Sequence, residues 1–352
     1  MRRLLPTLPF LLLLGLAPAG AEPVRFIAFG DMPYCRGITT GECTDVGRLT
    51  ALVRQFGQQA PHDFSIFLGD TKGGNEPCSE AILLRPLRWQ GAPGWMAVAE
   101  KPLIYTPGDN EWTDCRAGPN DSLDWAPALD LLRRHFFAGP PLLGAARQEG
   151  LPENYRWTTD GVLFVTLHIP GSNNGRPATP ADPYPAPLRT GAAAQAEYDS
   201  RNRLNLAWLA ETVRAAAAPG VRGLVIATQA DLFYAEICGS GWDSGLRESR
   251  EAIFAAARAL APKPVLLLHG DSHLLVHQDA THDPLRDMPA NLTRLMVPGE
   301  RDVQAVAVAF DPGEPEPLQL RLLGEIGTPP QEAPRGCPDY ERLTAAARAR
   351  WR

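Results

Sequence analysis

Four aspartates, Asp31, Asp70, Asp109 and Asp271, each follow a glycine, and each Gly-Asp pair ends a short apolar run. Composition alone gives roughly two such pairs in a chain with this much Gly and Asp, so their placement matters more than their number. Carboxylates are hard oxygen donors, and a glycine ahead of each lets the backbone turn sharply into a site. The last pair is the richest, with His269, Asp271 and His273 within five residues of an apolar strand. Two imidazoles and a carboxylate so spaced suit a transition metal. The competing reading is a capped turn carrying solvated polar side chains.

These residues need elements to hold them together. Val24–Phe29, Phe64–Leu68, Leu103–Thr106 and Val265–Leu268 read as buried strands. Val46–Gln58, with Val46, Leu49, Leu52, Val53 and Phe56 at helical spacing, and Glu80–Trp89 read as the intervening helices. Strand–helix–strand order implies parallel pairing with right-handed crossovers. The four aspartates then emerge at the carboxyl ends of strands, where open α/β sheets place their ligands. Residues 118–157 read as a mainly helical insertion, and Asp160-Gly161 as a hairpin turn between Tyr155–Thr158 and Val162–Leu167. Pro170–Ala193 reads as a long loop, followed by a helix over Ala194–Ala217 and a strand over Gly223–Thr228. The helix Arg247–Leu260 comes next, and Leu292–Val297, Val303–Phe310 and Leu318–Leu323 alternate like antiparallel strands. A tail from 329 to 352 carries a short helix, Asp339–Trp351. One domain over 22–328 is expected.

The 352-residue chain has a formal charge of -6, nearer -8 without Arg2 and Arg3, and it has no basic block. Nucleic acid is therefore not expected as a partner. Arg2-Arg3, the apolar stretch Leu4–Leu16 and Ala19-Gly20-Ala21 form a signal-peptide pattern, with cleavage expected after Ala21. Secretion or a periplasmic location follows, with no membrane span after signal removal. Six cysteines without a Cys-x-x-Cys pair fit disulfides in such a compartment; six allow 15 connectivities. Cys35–Cys43 and Cys78–Cys115 are the favoured pairs.

The order of motifs resembles the calcineurin-like metallophosphoesterase superfamily over residues 24–310. The matching stretches are Gly30–Pro33, Gly69–Gly73, Pro107–Trp112, Ala227–Gln229 and Gly270–His273, with Asn202–Leu209 similar to a helix that precedes the fifth strand. The resemblance implies a four-layer α/β/β/α sandwich of two mixed sheets flanked by helices. It also implies one or two divalent metal ions, and hydrolysis of a small phosphate mono- or diester by a metal-bound hydroxide. Position by position, Asp31, Asp70, Asp109, Asn110, Gln229, Asp271 and His273 fall on the metal ligands, with Asn110 where the family has its catalytic His. Only Asp31, Asp70 and His273 match strictly. Pro33, Gln229 and Asp271 stand where the family has imidazoles, and Gly73 where it has a second Asp.

Two readings of these departures compete. A site rebuilt with oxygen donors favours manganese, magnesium or calcium over zinc or iron. Alternatively, catalysis has lapsed and the fold binds a metal or a phosphorylated ligand. An amide at Asn110 cannot shuttle protons, so His168 and His269 are the candidates for that role. For His168 the alternative is a histidine satisfied by hydrogen bonds beneath the long loop. Tyr34 could be a ligand, Trp112 could wall the pocket and Lys72 could steady a substrate phosphate; the favoured readings are packing for Tyr34 and Trp112 and an exposed loop lysine for Lys72. No Gly-x-Ser-x-Gly elbow, phosphate-binding Gly-x-x-x-x-Gly-Lys-(Ser/Thr) loop or Gly-x-Gly-x-x-Gly fingerprint occurs.

Overall fold

The computed structural model describes residues 22–35, 43–115, 122–178, 189–239 and 243–351. The signal-peptide pattern lies outside the described residues, as do 36–42 and 179–188 of the loops that follow. The first half of the chain contains β1 (Val24–Phe29), α1 (Thr44–Gln59), β2 (Phe64–Phe67), α2 (Glu80–Leu83), β3 (Arg88–Trp89), β4 (Ala92–Pro93) and β5 (Leu103–Tyr105). Next come α3 (Trp125–Phe136), β6 (Ala146–Gln148), β7 (Leu151–Thr159), β8 (Val162–Thr166), the single turn α4 (Gly171–Asn174), α5 (Gly191–Ala216) and β9 (Gly223–Ala227). The remainder is α6 (Tyr234–Cys238), α7 (Arg247–Leu260), β10 (Val265–His269), β11 (Val276–Asp279), β12 (Leu292–Met296), β13 (Val303–Phe310), β14 (Leu318–Glu325) and α8 (Pro338–Trp351).

Two mixed sheets carry the fold. One has the order β14-β13-β1-β2-β5, the other β11-β12-β10-β9-β8-β7-β6. In the first, β1, β2 and β5 are parallel, with Phe26 opposite Phe64 and Ser65 opposite Leu103. In the second, β8, β9, β10 and β12 are parallel. Strands covered on both faces explain why the sequence shows continuous apolar runs instead of alternation. Leu266 and Leu268 of β10 face the core between the sheets, while Val265 and Leu267 face the helices outside. Phe26, Phe64, Phe164 and Trp157 join the sheets, with ring centroids 5.1–5.7 Å apart. Helix α1 covers the first sheet and α5 with α7 the second, giving the expected α/β/β/α sandwich.

Several elements differ from expectation. The helix expected over Glu80–Trp89 stops at Leu83, because Pro86 cannot continue it, and Gln90-Gly91 then turn the chain into the β3–β4 hairpin with positive φ at both residues. Among the described residues, the segment 118–157 holds one α-helix, α3, and a 3-10 turn at Leu142–Gly144, and from Ala146 onward it joins the second sheet as β6 and β7. Strand β12 pairs parallel with β10 and antiparallel only with β11, a strand the sequence reading did not place. The Asp160-Gly161 hairpin is present, with φ of 47° and 77° at its turn. Disulfides join Cys35–Cys43, Cys78–Cys115 and Cys238–Cys337. No helix of the described residues is long and apolar enough to cross a membrane.

Candidate metal centre

Because β1, β2 and β5 run parallel, Asp31, Asp70 and Asp109 leave the first sheet along one edge, and Asp271 meets them from β10 of the second. Backbone bonds weld these edges: Asp31 N–H to Gly69 O (2.9 Å) and Glu300 N–H to Asp31 O (2.7 Å). The glycines do more than turn the chain. A Cβ on Gly270 would lie 2.0 Å from Asp31 Oδ2, and one on Gly108 would lie 2.1 Å from Asp70 Oδ1. The glycine of one motif thus makes room for the aspartate of another. Asp31, Asp70, Asp271 and His273 have φ of 53°, 58°, 76° and 62°, a region that costs a non-glycine residue roughly 1–2 kcal/mol. Such strain persists only where the surroundings over-determine it.

Asp31 is fully buried. Its Oδ1 accepts from Asp271 N–H (2.8 Å), and its Oδ2 has no hydrogen-bond partner. Asp70 Oδ2 accepts from the Tyr34 hydroxyl (2.5 Å) and from Asn110 Nδ2 (2.6 Å), while Oδ1 accepts from Asn110 N–H (3.2 Å). His273 Nε2 lies 3.0 Å from Tyr34 Oη and 4.0 Å from Asp31 Oδ1. Its Nδ1 lies 3.2 Å from Glu300 Oε2, which assigns the ring proton to Nδ1 and leaves the Nε2 lone pair facing the carboxylates. One ligand atom each from Asp31, Asp70 and His273 falls within a mutual 4.8 Å.

The other half of the site is built differently. Asp109 Oδ1 accepts from Gln229 Nε2 (3.0 Å) and Oδ2 from Ser172 Oγ (2.8 Å). Gln229 Oε1 accepts from Gly171 N–H, and Asp271 Oδ2 from Asp231 N–H (2.9 Å). Ser172 Oγ also lies 2.5 Å from Asp114 Oδ2. One hydroxyl proton cannot serve two carboxylates, so a second proton is shared there. Burial and the charge of Asp109 raise Asp114 to about 7, which favours a proton on this pair near neutral pH. Ser172 and Asn173 have left-handed dihedrals, pinned by Arg201 on Asn174 and by Asn173 against Ser244 and Gly245.

Burial raises Asp31, Asp70 and Asp271 well above the usual carboxylate range, and mutual repulsion adds to it: Asp271 acts on Asp31, and Asp109 on Asp70 and Asp271. Glu111 is raised by burial as well, against bonds from Thr71 N–H and the Tyr105 hydroxyl. Among the described residues no lysine or arginine side chain pairs with these four aspartates; the ion pair they make is that of Asp31 with His273 at 4.0 Å. Lys72 is nearby but its ammonium donates to Gly73 O (3.1 Å), and burial holds it below its ordinary value. A buried cluster of acids with so little compensation is an electrostatic sink for a cation.

No family model matches the sequence, and no curated protein matches it either. Among solved structures the chain is similar to PhoD, at 13% identity over 86% of this chain and 69% of that one, with a TM-score of 0.45. It is also similar to GAP50, the anchor in the inner membrane complex of Plasmodium, at 11% identity over 93% and 95% of the two chains, TM-score 0.44. A putative 5'-nucleotidase from Staphylococcus aureus shares 14% identity over 92% of this chain, TM-score 0.45. The chain spans 58% of that protein's length. Similarity at this level attaches no activity to the chain.

The seven residues Asp31, Asp70, Asp109, Asn110, Gln229, Asp271 and His273 are brought together by the hydrogen bonds described above. His168 and His269 are not. His168 is buried against the Trp112 ring (5.2 Å), with neither ring nitrogen hydrogen-bonded and Nδ1 3.8 Å from Glu153 Oε2, and burial with Arg201 pushes its imidazole far toward the neutral form. His269 accepts from Arg294 Nε (2.8 Å) and turns Nδ1 to Gly270 O; burial and Arg294 push it down to about 3. Neither ring hydrogen-bonds a site carboxylate, so the proton-transfer role expected of them has no geometry here. Tyr34, expected to pack, places its hydroxyl among Asp70, Asn110 and His273. Lys72, expected to be exposed, is fully buried, whereas Trp112 packs as expected. Ser172, Asp114 and Glu300 were not singled out from the sequence; only the Gly and Asn richness of 170–175 hinted at the first.

Proposed function

We propose that this protein is an exported, divalent-cation-dependent hydrolase of phosphate esters, with the cation held by Asp31, Asp70 and His273. The observation that carries this reading is Asp31 Oδ2, a fully buried carboxylate oxygen without a partner, grouped with ligand atoms of Asp70 and His273 within 4.8 Å. An unpaired buried charge is costly, and a cation removes that cost. The Glu300–His273 pair supports it too, because metal-bound histidines donate their second ring N–H to a carboxylate. Two carboxylates and one imidazole form a mixed oxygen–nitrogen set suited to manganese, with zinc or iron as competitors. The donors present therefore fit the group.

When bound, the cation supplies Lewis-acid polarisation of a phosphoryl oxygen and lowers the pKa of a water molecule. The chain's own residues prepare the site. Tyr34 and Asn110 orient Asp70, Asp271 N–H orients Asp31, and Glu300 fixes the ring of His273. Asn110 spends its amide N–H groups on Asp70 and the Tyr34 hydroxyl and has no proton to transfer to a leaving group, so esters with good leaving groups are favoured. Domain bounds of 22–328, with the tail beyond, belong to the same reading. Three disulfides support an oxidising compartment.

The test is the mature protein, stripped of metal and assayed on p-nitrophenyl phosphate and bis-p-nitrophenyl phosphate with manganese, magnesium, calcium or zinc. Cation-dependent turnover lost in Asp70→Ala supports the reading. Tight cation binding without turnover on either ester assigns the chain to the second reading, a lapsed enzyme that binds a metal or a phosphorylated ligand. Its specific support is Asp109, whose two oxygens are already satisfied by Gln229 and Ser172. No cation binding at all refutes the first reading and leaves the second only its phosphorylated ligand, which titration with inorganic phosphate checks.

A further inference from the structure

We infer that Tyr340, on the disulfide-tethered C-terminal helix α8, is a positioning residue that holds the Asp271–His273 turn in its strained conformation through Asp231 and Arg294. This rests on the reading above only where cation binding is concerned; the positioning itself is a property of the chain. The turn has positive φ at Asp271 and His273, at the carboxyl end of β10. It supplies the Nε2 of His273, and through Asp271 N–H it also fixes Asp31. Strain of this kind needs partners that forbid relaxation.

Those partners converge on Asp231. Its backbone N–H donates to Asp271 Oδ2 (2.9 Å), and its Oδ2 accepts from Ser272 Oγ (2.7 Å). Asp231 is thus bonded to two successive residues of the turn. Its own side chain is held from behind: Oδ2 accepts from the Tyr340 hydroxyl (2.5 Å), and Oδ1 from Arg294 Nη2 (3.0 Å). Arg294 is fully buried and spends its remaining donors on His269 Nε2 (2.8 Å), Gln278 Oε1 (2.9 Å) and Tyr340 Oη (2.7 Å). Its guanidinium also stacks on Phe233, 4.2 Å from the ring centroid. Removing Tyr340 Oη therefore takes a partner from both members of a buried ion pair. In a low-dielectric interior such pairs depend on every remaining bond.

Tyr340 comes from far away in the chain. Helix α8 follows the last strand, and Cys337 at its start is bonded to Cys238 of α6, which begins three residues after Asp231. The tether brings the tail to the loop it supports. Tyr340 is fully buried, packed with Leu274 and Val276 directly after the turn, and edge-on to Tyr234 at 5.6 Å. A helix serving only to cover the sheet needs no hydroxyl at that depth.

The experiment compares three variants with the wild type, cation-free, by amide hydrogen exchange over residues 269–275. Each is then titrated calorimetrically with Mn2+. Tyr340→Phe keeps the ring and removes the hydroxyl. Trp351→Ala loosens the same helix at its far end, where Trp351 packs on His277. Cys238→Ser/Cys337→Ser cuts the tether. Expected are faster exchange in the turn for Tyr340→Phe and for the double variant, and Mn2+ binding weakened by up to about tenfold, the lower end of the loss when a direct supporting partner of a ligand is removed. Trp351→Ala should lower the melting temperature and leave both readouts unchanged. Turn exchange in Tyr340→Phe at the wild-type rate overturns the inference, as does an equal effect from Trp351→Ala. A wild type that binds no Mn2+ while Tyr340→Phe still speeds exchange refutes the cation reading alone.

Discussion

The two halves of the acidic cluster hold similar side chains and are satisfied in opposite ways. Around Asp31, Asp70 and His273, a fully buried oxygen is left without a donor, and two acceptors compete for one tyrosine proton. Around Asp109, each oxygen has its own donor, Gln229 or Ser172, and Asp114 beside it is raised to about 7 by burial and by the charge of Asp109. The chemistry available to a carboxylate is decided by what already occupies its lone pairs. The first half is open to a cation, and the second is closed by the protein itself, which is why one cation per chain is expected.

That contrast can be broken most directly at Asp70. Asp70→Ala should reduce Mn2+ affinity and kcat/KM by more than the roughly 10–100-fold that loss of a supporting partner costs, read by calorimetry and by phosphate-ester assay. Asp109→Ala is expected to change Mn2+ affinity by less than about fivefold while lowering stability by roughly 1–3 kcal/mol, because Gln229 and Ser172 lose their acceptor. Urea denaturation measures the second number. Equal losses of affinity at both positions would merge the halves into a single two-ion site.

Protonation offers a milder perturbation. Asp31, Asp70, Asp271 and Glu111 have raised pKa values in the folded state, and Asp114 sits at about 7. Such groups stabilise the fold fully below their unfolded values, and that contribution is lost as pH rises through the folded ones. Lys72 works in the opposite sense, one group against these acids. His168, His269 and His277 are held low, at well below 6.5, about 3 and about 4, so they withdraw stability only below pH 6.5. Cation-free protein should therefore melt higher at pH 6.5 than at pH 9, and saturating Mn2+ should flatten the trend by keeping the carboxylates ionised. A flat melting profile in EDTA over that range would contradict the raised values.

The smallest effect is expected in the closed half. At Ser172, where φ is 45°, both Ser172→Ala and Ser172→Gly remove the hydroxyl, but glycine relieves the left-handed strain. Ser172→Gly should be the more stable of the two by about 1 kcal/mol in urea melts. The reverse order would mean that the turn imposes no strain.

How much of this was legible beforehand follows from the range of each force. Burial on both faces writes itself into a strand as a continuous apolar run, so β1, β2, β5 and β10 could be read locally, together with the glycines and aspartates at their ends. The Asp160-Gly161 turn was readable for the same reason. Pro86 is the local signal against a helix through 80–89, because its ring cannot continue one. The strands after Ala146 were hidden because short edge strands have little period to show.

The site divides in the same way. The sequence by itself determined that four carboxylates and His273 stand at strand ends, since that depends on residue type and nearest neighbours. Only the tertiary structure decided which of them remain unsatisfied. Tyr34, Ser172 and Glu300 reach the cluster, and Tyr340 reaches Asp231, across up to 239 residues of chain, and His168 and His269 turn away from the cluster. A hydrogen bond is set by distance and direction in space, and nothing in the local pattern of a chain encodes which distant donor arrives at a given lone pair.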